Sequence, residues 1–278
     1  MSMENNGQTN VQGRMRAAVL GSPIAHSLSP VIHNAAYLAL GIEGKYDAVE
    51  VGSGELSNFM NEVKQTPANW IGFSLTMPLK EEILNIADVV DPLARRINSG
   101  NTLIPTKEGW YATSTDVSGF IWALAFNEIK QFDKVQIIGA GATARAVAAA
   151  IDAPGRTICV INRNSQRNSA MQSVVLDSNL EFCNWEEAEL DADLVVNTTP
   201  KNAADSLSSG SGILFDVIYD PWPTTLAAKW NGRVIDGLEL LVHQAIDQIS
   251  LMTGFVIDRQ LMAPLLRAAA EAELNDRQ

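Results

Sequence analysis

The run from Lys134 to Ala144, KVQIIGAGATA, constrains this chain more than any other segment. An apolar strand, Lys134 to Ile138, passes directly into a glycine turn, and the turn opens an alanine-rich helix expected over Thr143 to Ile151. Gly139 and Gly141 allow a tight turn and a close backbone approach to a pyrophosphate, while Ala144 occupies the third small position. The N–H groups of Ala142 and Thr143 then open the helix, where its dipole favours an anion. G-x-G-x-x-A alone is weak, and a turn without a ligand is the competing reading. The preceding strand and following helix are the context that favours a dinucleotide.

The surrounding chain alternates strand and helix signals, with no internal repeat. Strands are expected at Arg16 to Leu20, Tyr46 to Val51 and Trp70 to Leu75, each trailed by a helical stretch. The first of these helices starts at Ser29-Pro30, with Ser29 as its cap, and stops at Gly41. Leu103 to Ile104 and Trp110 to Thr113 flank a hairpin-like turn. Helix Gly119 to Ile129 opens a second unit, with further strands at Thr157 to Ile161, Leu194 to Asn197, Ile213 to Val217 and Arg233 to Ile235. The expected class is α/β with two domains. Residues 14–116 with 241–278 form a mostly parallel substrate-binding unit, and residues 117–240 form a doubly wound Rossmann-type unit. The helices after Leu240 have no strand partners of their own and are expected to pack back on the first unit. Residues 1–13 read as a disordered tail.

Charge narrows the function classes. Thirty-two acidic against 20 basic side chains give a formal net charge of −12, which speaks against nucleic-acid or anionic-membrane binding. No apolar run reaches the ~20 residues of a membrane span, and no signal peptide opens the chain. Cys159 and Cys183 are the only cysteines, so neither a disulfide framework nor a cysteine zinc site is expected, and the expected compartment is the cytoplasm. The partner is a small molecule, and the chain is a monomer or a homodimer.

Four islands share one chemistry: Ser27-Leu28-Ser29-Pro30, Thr76-Met77-Pro78-Leu79-Lys80, Gly100-Asn101-Thr102 and Ser114-Thr115-Asp116. Small hydroxyl and amide groups with one lysine and one aspartate suit a polyhydroxylated ring acid and one proton carrier. Lys80 lies just beyond a strand's carboxyl end, facing the crevice of an open sheet, and Asp116 is its natural partner. A lone lysine after a proline is more often solvated. After the second Rossmann strand, where an NAD enzyme keeps an acid, stand Asn162 and Arg163, with Arg167 close behind. Cations there suit a 2′-phosphate, so NADP (NADPH) is favoured over NAD. His26, His33 and His243 lack metal-type spacing and read as packing residues, with no metal expected. Trp70, Trp110 and Trp122 read as core, and Glu186, Glu187 and Glu189 as a solvated face.

These islands resemble the shikimate dehydrogenase family. Gly21-Ser22-Pro23-Ile24-Ala25-His26-Ser27-Leu28-Ser29-Pro30 with His33-Asn34 is similar to its opening signature. Gly72 to Lys80, Asn101-Thr102, Thr115-Asp116 with Gly119-Phe120, Asp216 to Pro221 and Gly237 to Ala245 match later segments in the family's order. The resemblance implies reversible NADPH-dependent reduction of 3-dehydroshikimate to shikimate, a step of aromatic amino-acid biosynthesis. It implies that Ser27, Ser29 and Tyr219 bind the ring carboxylate, that Thr76, Asn101 and Gln244 hold ring hydroxyls, and that Lys80 and Asp116 transfer the proton. It further implies that Gly139, Ala140, Gly141, Ala142 and Thr143 cradle the pyrophosphate, that Asn162, Arg163 and Arg167 meet the adenosine phosphate, and that Val217 and Gly237 face the nicotinamide. The alternatives are a quinate/shikimate enzyme and a non-catalytic ligand sensor of the same fold. Ser74 and Ser114 stand where the family usually has asparagine, and Val117 where glycine is common. The loop Asn197 to Asn202 lacks the family's closing Gly-Met.

Overall fold

The structure, a computed structural model, describes residues 14–66 and 68–277; the expected tail, residues 1–13, lies outside the described residues. The first half runs β1 (Met15–Gly21), α1 (Ser29–Leu40), β2 (Gly44–Glu50), α2 (Leu56–Gln65), β3 (Trp70–Leu75), β4 (Val89–Val90), α3 (Pro92–Arg96), β5 (Thr102–Thr106) and β6 (Gly109–Thr113). Its sheet has the order β2-β1-β3-β5-β6-β4. Strands β2, β1 and β3 are parallel, as are β4 and β6, whereas β5 runs against both neighbours. The sheet is therefore mostly parallel, and the β5–β6 hairpin supplies the exception.

Helix α1 ends as expected, with Gly41 left-handed at φ 67°. Its start corrects the expectation for Ser29. The chain is already right-handed helical at Leu28, which becomes the N-cap, so Ser29 falls inside the first turn without capping it. Instead Ser27 Oγ accepts from the Ser29 N–H at 3.2 Å.

The second half runs α4 (Asp116–Phe126), β7 (Lys134–Ile138), α5 (Ala142–Ile151), β8 (Thr157–Asn162), α6 (Asn168–Gln172), β9 (Asn179–Asn184), β10 (Leu194–Asn197), β11 (Ile213–Asp216), α7 (Thr225–Ala228), β12 (Val234–Ile235), α8 (Leu238–Thr253) and α9 (Arg259–Asp276). The sheet order is β12-β11-β10-β7-β8-β9, parallel throughout. The order reverses at β7, so the glycine turn after β7 sits at the switch point where ligands bind such sheets. Strand β9 was not anticipated; Asn179 to Phe182 alternates polar and apolar residues, but the alternation is short and breaks at Cys183. Helix α4 starts three residues earlier than expected, which places Asp116 in its first turn.

One core packs α4 and α5 against the second sheet through Phe120, Val147, Val135, Val160 and Phe215. Another brings the C-terminal helices back on the first half, where Val242, Ile249, Met262 and Leu266 meet Val19, Ile32 and Tyr37. Burying such apolar surface contributes roughly 25 cal/mol per Å², which is what folds an otherwise unpartnered helix pair onto the first sheet. Trp70 and Trp110 pack against the first sheet's own core. Trp122 does not: it is 42% exposed beneath the Arg259 guanidinium, because its face of α4 points away from both sheets. Glu186, Glu187 and Glu189 are all exposed, in keeping with a solvated face. The cysteine expectation needs correcting. Cys159 and Cys183 sit diagonally on adjacent strands β8 and β9 and are joined in a disulfide with Cα atoms 6.3 Å apart.

Candidate active site

Two adjoining cavities lie between the carboxyl edges of the two sheets. The first, of about 260 Å³, is lined by Ser27, Ser29, Thr76, Lys80, Asn101, Asp116, Tyr219 and Gln244, the whole predicted ring-acid set. Val217, Gly237 and Thr143 close it on the side of the second sheet. The second cavity, of about 610 Å³, is lined by Gly139, Ala140, Gly141, Ala142, Thr143, Asn162, Arg163 and Arg167. Thr76, Met77, Lys80 and Thr143 line both, so the cavities share a wall.

At that wall Lys80 Nζ donates to Asp116 Oδ2 at 2.6 Å. The side chains are 17% and 6% exposed, which leaves water little access to the pair. Lys80 sits in the turn after β3, where its carbonyl accepts from Gly100 N–H at 2.7 Å. Asp116 Oδ1 accepts from Asn101 Nδ2 at 2.8 Å, and the same amide donates to Thr115 Oγ1 and to Gln244 Oε1. Asn101 Oδ1 in turn accepts from the Thr102 hydroxyl and the Thr115 N–H. Asn101 is thus saturated by protein partners: it orients Asp116 and Gln244 from within the cavity wall. Gln244 reaches this network because α4 and α8 approach closely at Gly119, where a Cβ atom would meet the Gln244 backbone nitrogen at 2.8 Å.

A buried polar layer lies beneath. Tyr46 donates its hydroxyl hydrogen to Ser74 Oγ at 2.6 Å, Ser74 donates to Gln248 Oε1 at 2.8 Å, and Gln248 donates to the Asn101 carbonyl. Ser74 and Gln248 both line the first cavity. Sequence reasoning missed Gln248; its place one helical turn after Gln244 was the available signal. His33 is fully buried, stacked on Tyr46 at 3.8 Å, and burial pushes its pKa down to about 3 against a smaller opposing pull from Gln248. His243 packs on Phe126 at 4.5 Å. His243 also faces Glu239, its Nε2 3.6 Å from Oε2, while exposed His26 borders the cavity. Burial raises the pKa of the Tyr219 hydroxyl, which keeps it a neutral donor.

The second cavity is built for an anion. Gly139 has φ 105°, and a Cβ there would strike Thr198 Oγ1 at 2.7 Å, so the turn requires glycine. Helix α5 has no side-chain cap on its first N–H groups. Arg167 lies beside Gly141, its Nη1 3.8 Å from where a Cβ would stand. Arg163 lies 4.1 Å over the Trp185 ring and donates to the Ala203 carbonyl at 2.7 Å. Trp185 and Ala203 line this cavity, and sequence reasoning missed both. Glu81, the one carboxylate in the lining among the described residues, is paired with Arg145. Open N–H groups, two guanidiniums and no free acid fit a phosphorylated dinucleotide. Among the described residues no cluster of His, Cys, Asp and Glu could hold a metal ion.

Comparison with known proteins agrees with this geometry. Residues 19–103 match the model of the shikimate dehydrogenase substrate binding domain. A Thermus thermophilus protein named shikimate dehydrogenase (NADP(+)) is 35% identical over 266 residues, covering 92% of this chain and 98% of that one. The chain belongs to the shikimate dehydrogenase family. The crystal structure of Mycobacterium tuberculosis shikimate dehydrogenase superposes with a TM-score of 0.80 at 36% identity, covering 91% of this chain and 99% of that one. The crystal structure of the Thermus thermophilus enzyme in complex with NADP(H) and shikimate gives 0.78 at 33% identity, with 92% and 99% covered. Asn202, in the loop after β10 where the family resemblance predicts a glycine, adopts φ 66°, a left-handed conformation that asparagine tolerates better than most side chains. Asn197, tied to Asp216 Oδ1 at 3.0 Å, anchors the start of the same loop.

Proposed function

We propose that this chain is an NADP-dependent shikimate dehydrogenase that reversibly reduces 3-dehydroshikimate to shikimate. The observation that carries the reading is the Lys80–Asp116 pair at 2.6 Å, placed on the wall shared by a hydroxyl-lined cavity and a phosphate-type cavity. Ser27, Ser29 and the neutral Tyr219 hydroxyl form the cavity end suited to a ring carboxylate, with hydrogen bonds to the charged group worth roughly 1.5–3 kcal/mol each. Thr76 and Gln244 offer groups for ring hydroxyls, and Asn101 holds Gln244 and Asp116 in register. Lys80 Nζ delivers a proton to the carbonyl oxygen that becomes the hydroxyl, and takes it back in the reverse direction. Asp116 fixes the ammonium in place and stabilises its charged form. Gly139, Ala140, Gly141, Ala142 and Thr143 in the second cavity would hold the dinucleotide's pyrophosphate, and its reduced nicotinamide, reaching toward Val217 and Gly237, would supply the hydride. Val217 and Gly237 line the first cavity on the side of the second sheet, and Arg163 and Arg167 line the second cavity, where their charges suit the adenosine phosphate. We take 14–116 with 241–278 as the substrate unit and 117–240 as the nucleotide unit.

The deciding assay follows NADPH absorbance with purified protein against shikimate, quinate and their dehydro forms. Turnover with shikimate and 3-dehydroshikimate well above that with the quinate pair is expected. Preference for the quinate pair makes the chain a quinate enzyme, and no turnover with either sinks the catalytic assignment.

A further inference from the structure

Arg145 is 3% exposed and lies on α5, the helix whose N-terminus faces the second cavity. Its side chain does not line that cavity. It reaches across to the first half instead: Nε donates to the Ile97 carbonyl at 2.6 Å, and Nη2 donates to the Asn98 carbonyl at 3.0 Å and to Glu81 Oε1 at 2.6 Å. The Ile97 and Asn98 carbonyls follow the C-terminus of α3, where a cation is favoured. Asn98 is left-handed at φ 47°, a conformation asparagine tolerates, and its carbonyl is one of those Arg145 holds.

The two gripped segments are those that carry the proton-transfer machinery. Glu81 follows Lys80 directly in the chain. Asn98 leads through Ser99 to Gly100, whose N–H donates to the Lys80 carbonyl, and to Asn101, whose amide holds Asp116. Burying a guanidinium costs desolvation that an apolar side chain of similar size would avoid. Three hydrogen bonds onto these two segments give the charge a use that packing alone does not.

We propose that Arg145 is a positioning residue that ties helix α5 to Lys80 and Asn101, so that nucleotide occupancy at the N-terminus of α5 and alignment of the Lys80–Asp116 pair are coupled. The inference rests on the function proposed above. The test compares unmodified protein, Arg145→Gln and Glu81→Ala in three readouts: kcat and KM with shikimate, the Kd of NADP+, and the ratio of shikimate Kd values with and without NADP+. Misplacing a reacting group by an ångström costs on the order of 10²-fold, so kcat in Arg145→Gln should fall by about that factor. In Glu81→Ala, which keeps both carbonyl bonds, it should fall roughly tenfold. The Kd of NADP+ should stay within about twofold, and the shikimate Kd ratio should move toward one in both variants.

A merely structural arginine lowers the melting temperature while leaving kcat per folded molecule and the Kd ratio unchanged, and that result overturns the proposal. Should Arg145→Gln fail to fold, Glu81→Ala decides, since the Glu81 side chain is 55% exposed and its loss leaves the core intact. Unchanged kcat and Kd ratio in Glu81→Ala then overturn it. Absence of turnover in the unmodified protein is a different failure, that of the functional reading itself.

Discussion

Replacing Arg163 with alanine probes the coenzyme end of the site. The guanidinium is exposed at the cavity rim, yet it is held in place by the Trp185 ring at 4.1 Å and the Ala203 carbonyl at 2.7 Å. It therefore loses little side-chain freedom when a phosphate arrives. A hydrogen bond to a charged group is worth about 1.5–3 kcal/mol, and exposure to solvent pulls this toward the lower end. Taking about 1.5–2.5 kcal/mol, Arg163→Ala should lower kcat/KM for NADPH roughly ten- to sixty-fold. NADH lacks the 2′-phosphate, so its kcat/KM should be nearly unchanged. Arg167, beside Gly141, supplies a second charge, so the unmodified protein should prefer NADPH by on the order of 10²-fold. Steady-state kinetics with both coenzymes at fixed ionic strength measure this. Trp185→Leu removes the platform together with a buried core side chain, so stability should fall, and per folded molecule the lost cation–π contact of about 0.5–1 kcal/mol should give a two- to five-fold loss confined to NADPH. Equal use of both coenzymes by the unmodified protein would refute the phosphate clamp. An equal loss for both in Arg163→Ala would recast the arginine as a wall for the adenine.

Further expectations concern chemistry, packing and pH. Lys80→Ala should lower kcat by ~10²–10⁴-fold while fluorescence titration shows an unchanged Kd for NADPH; near-normal kcat removes Lys80 from proton transfer. Gly119→Ala pushes a Cβ into Gln244, so a loss of about 1–3 kcal/mol in urea unfolding should accompany a raised shikimate KM. A normal KM there would separate the α4–α8 contact from the site. His33, with its pKa lowered by burial to about 3, takes up a proton only on unfolding once the pH drops below its ordinary value of 6.5. Stability should therefore fall by up to about 1.4 kcal/mol per pH unit between 6.5 and 3 on account of this residue, and His33→Leu should lack that contribution. Identical slopes in the two proteins would contradict the buried, neutral ring.

What could be seen in the sequence, and what could not, divides along the range of the interactions. The glycine turn was legible because strand, turn and helix are consecutive, although the clash with Thr198 that requires glycine at Gly139 is long-range. The hydroxyl islands were legible as chemistry, yet their assembly is long-range: Asn101 meets Gln244 across 143 positions, and only the fold-back of α8 brings them together. That fold-back could be inferred from apolar helices lacking a sheet, whereas its seating depends on Gly119, whose role leaves no local trace. Ser29 went wrong as a cap because helix initiation depends on the conformation of Leu28, which the tight turn before it dictates. Trp185 and β9 were missed together: the alternation over Asn179 to Phe182 is short and breaks at Cys183, and the tryptophan just beyond the strand borders acidic residues that read as surface. Arg145 is the most instructive omission. Inside an alanine-rich helix it reads as a solubilising charge, and nothing near it in the chain accepts its hydrogen bonds. Its partners lie 47, 48 and 64 residues earlier, on the segments around Lys80 and Asn101. Charged side chains whose partners are distant backbone carbonyls are therefore where a sequence reading most needs the folded structure, because no local pattern announces those partners.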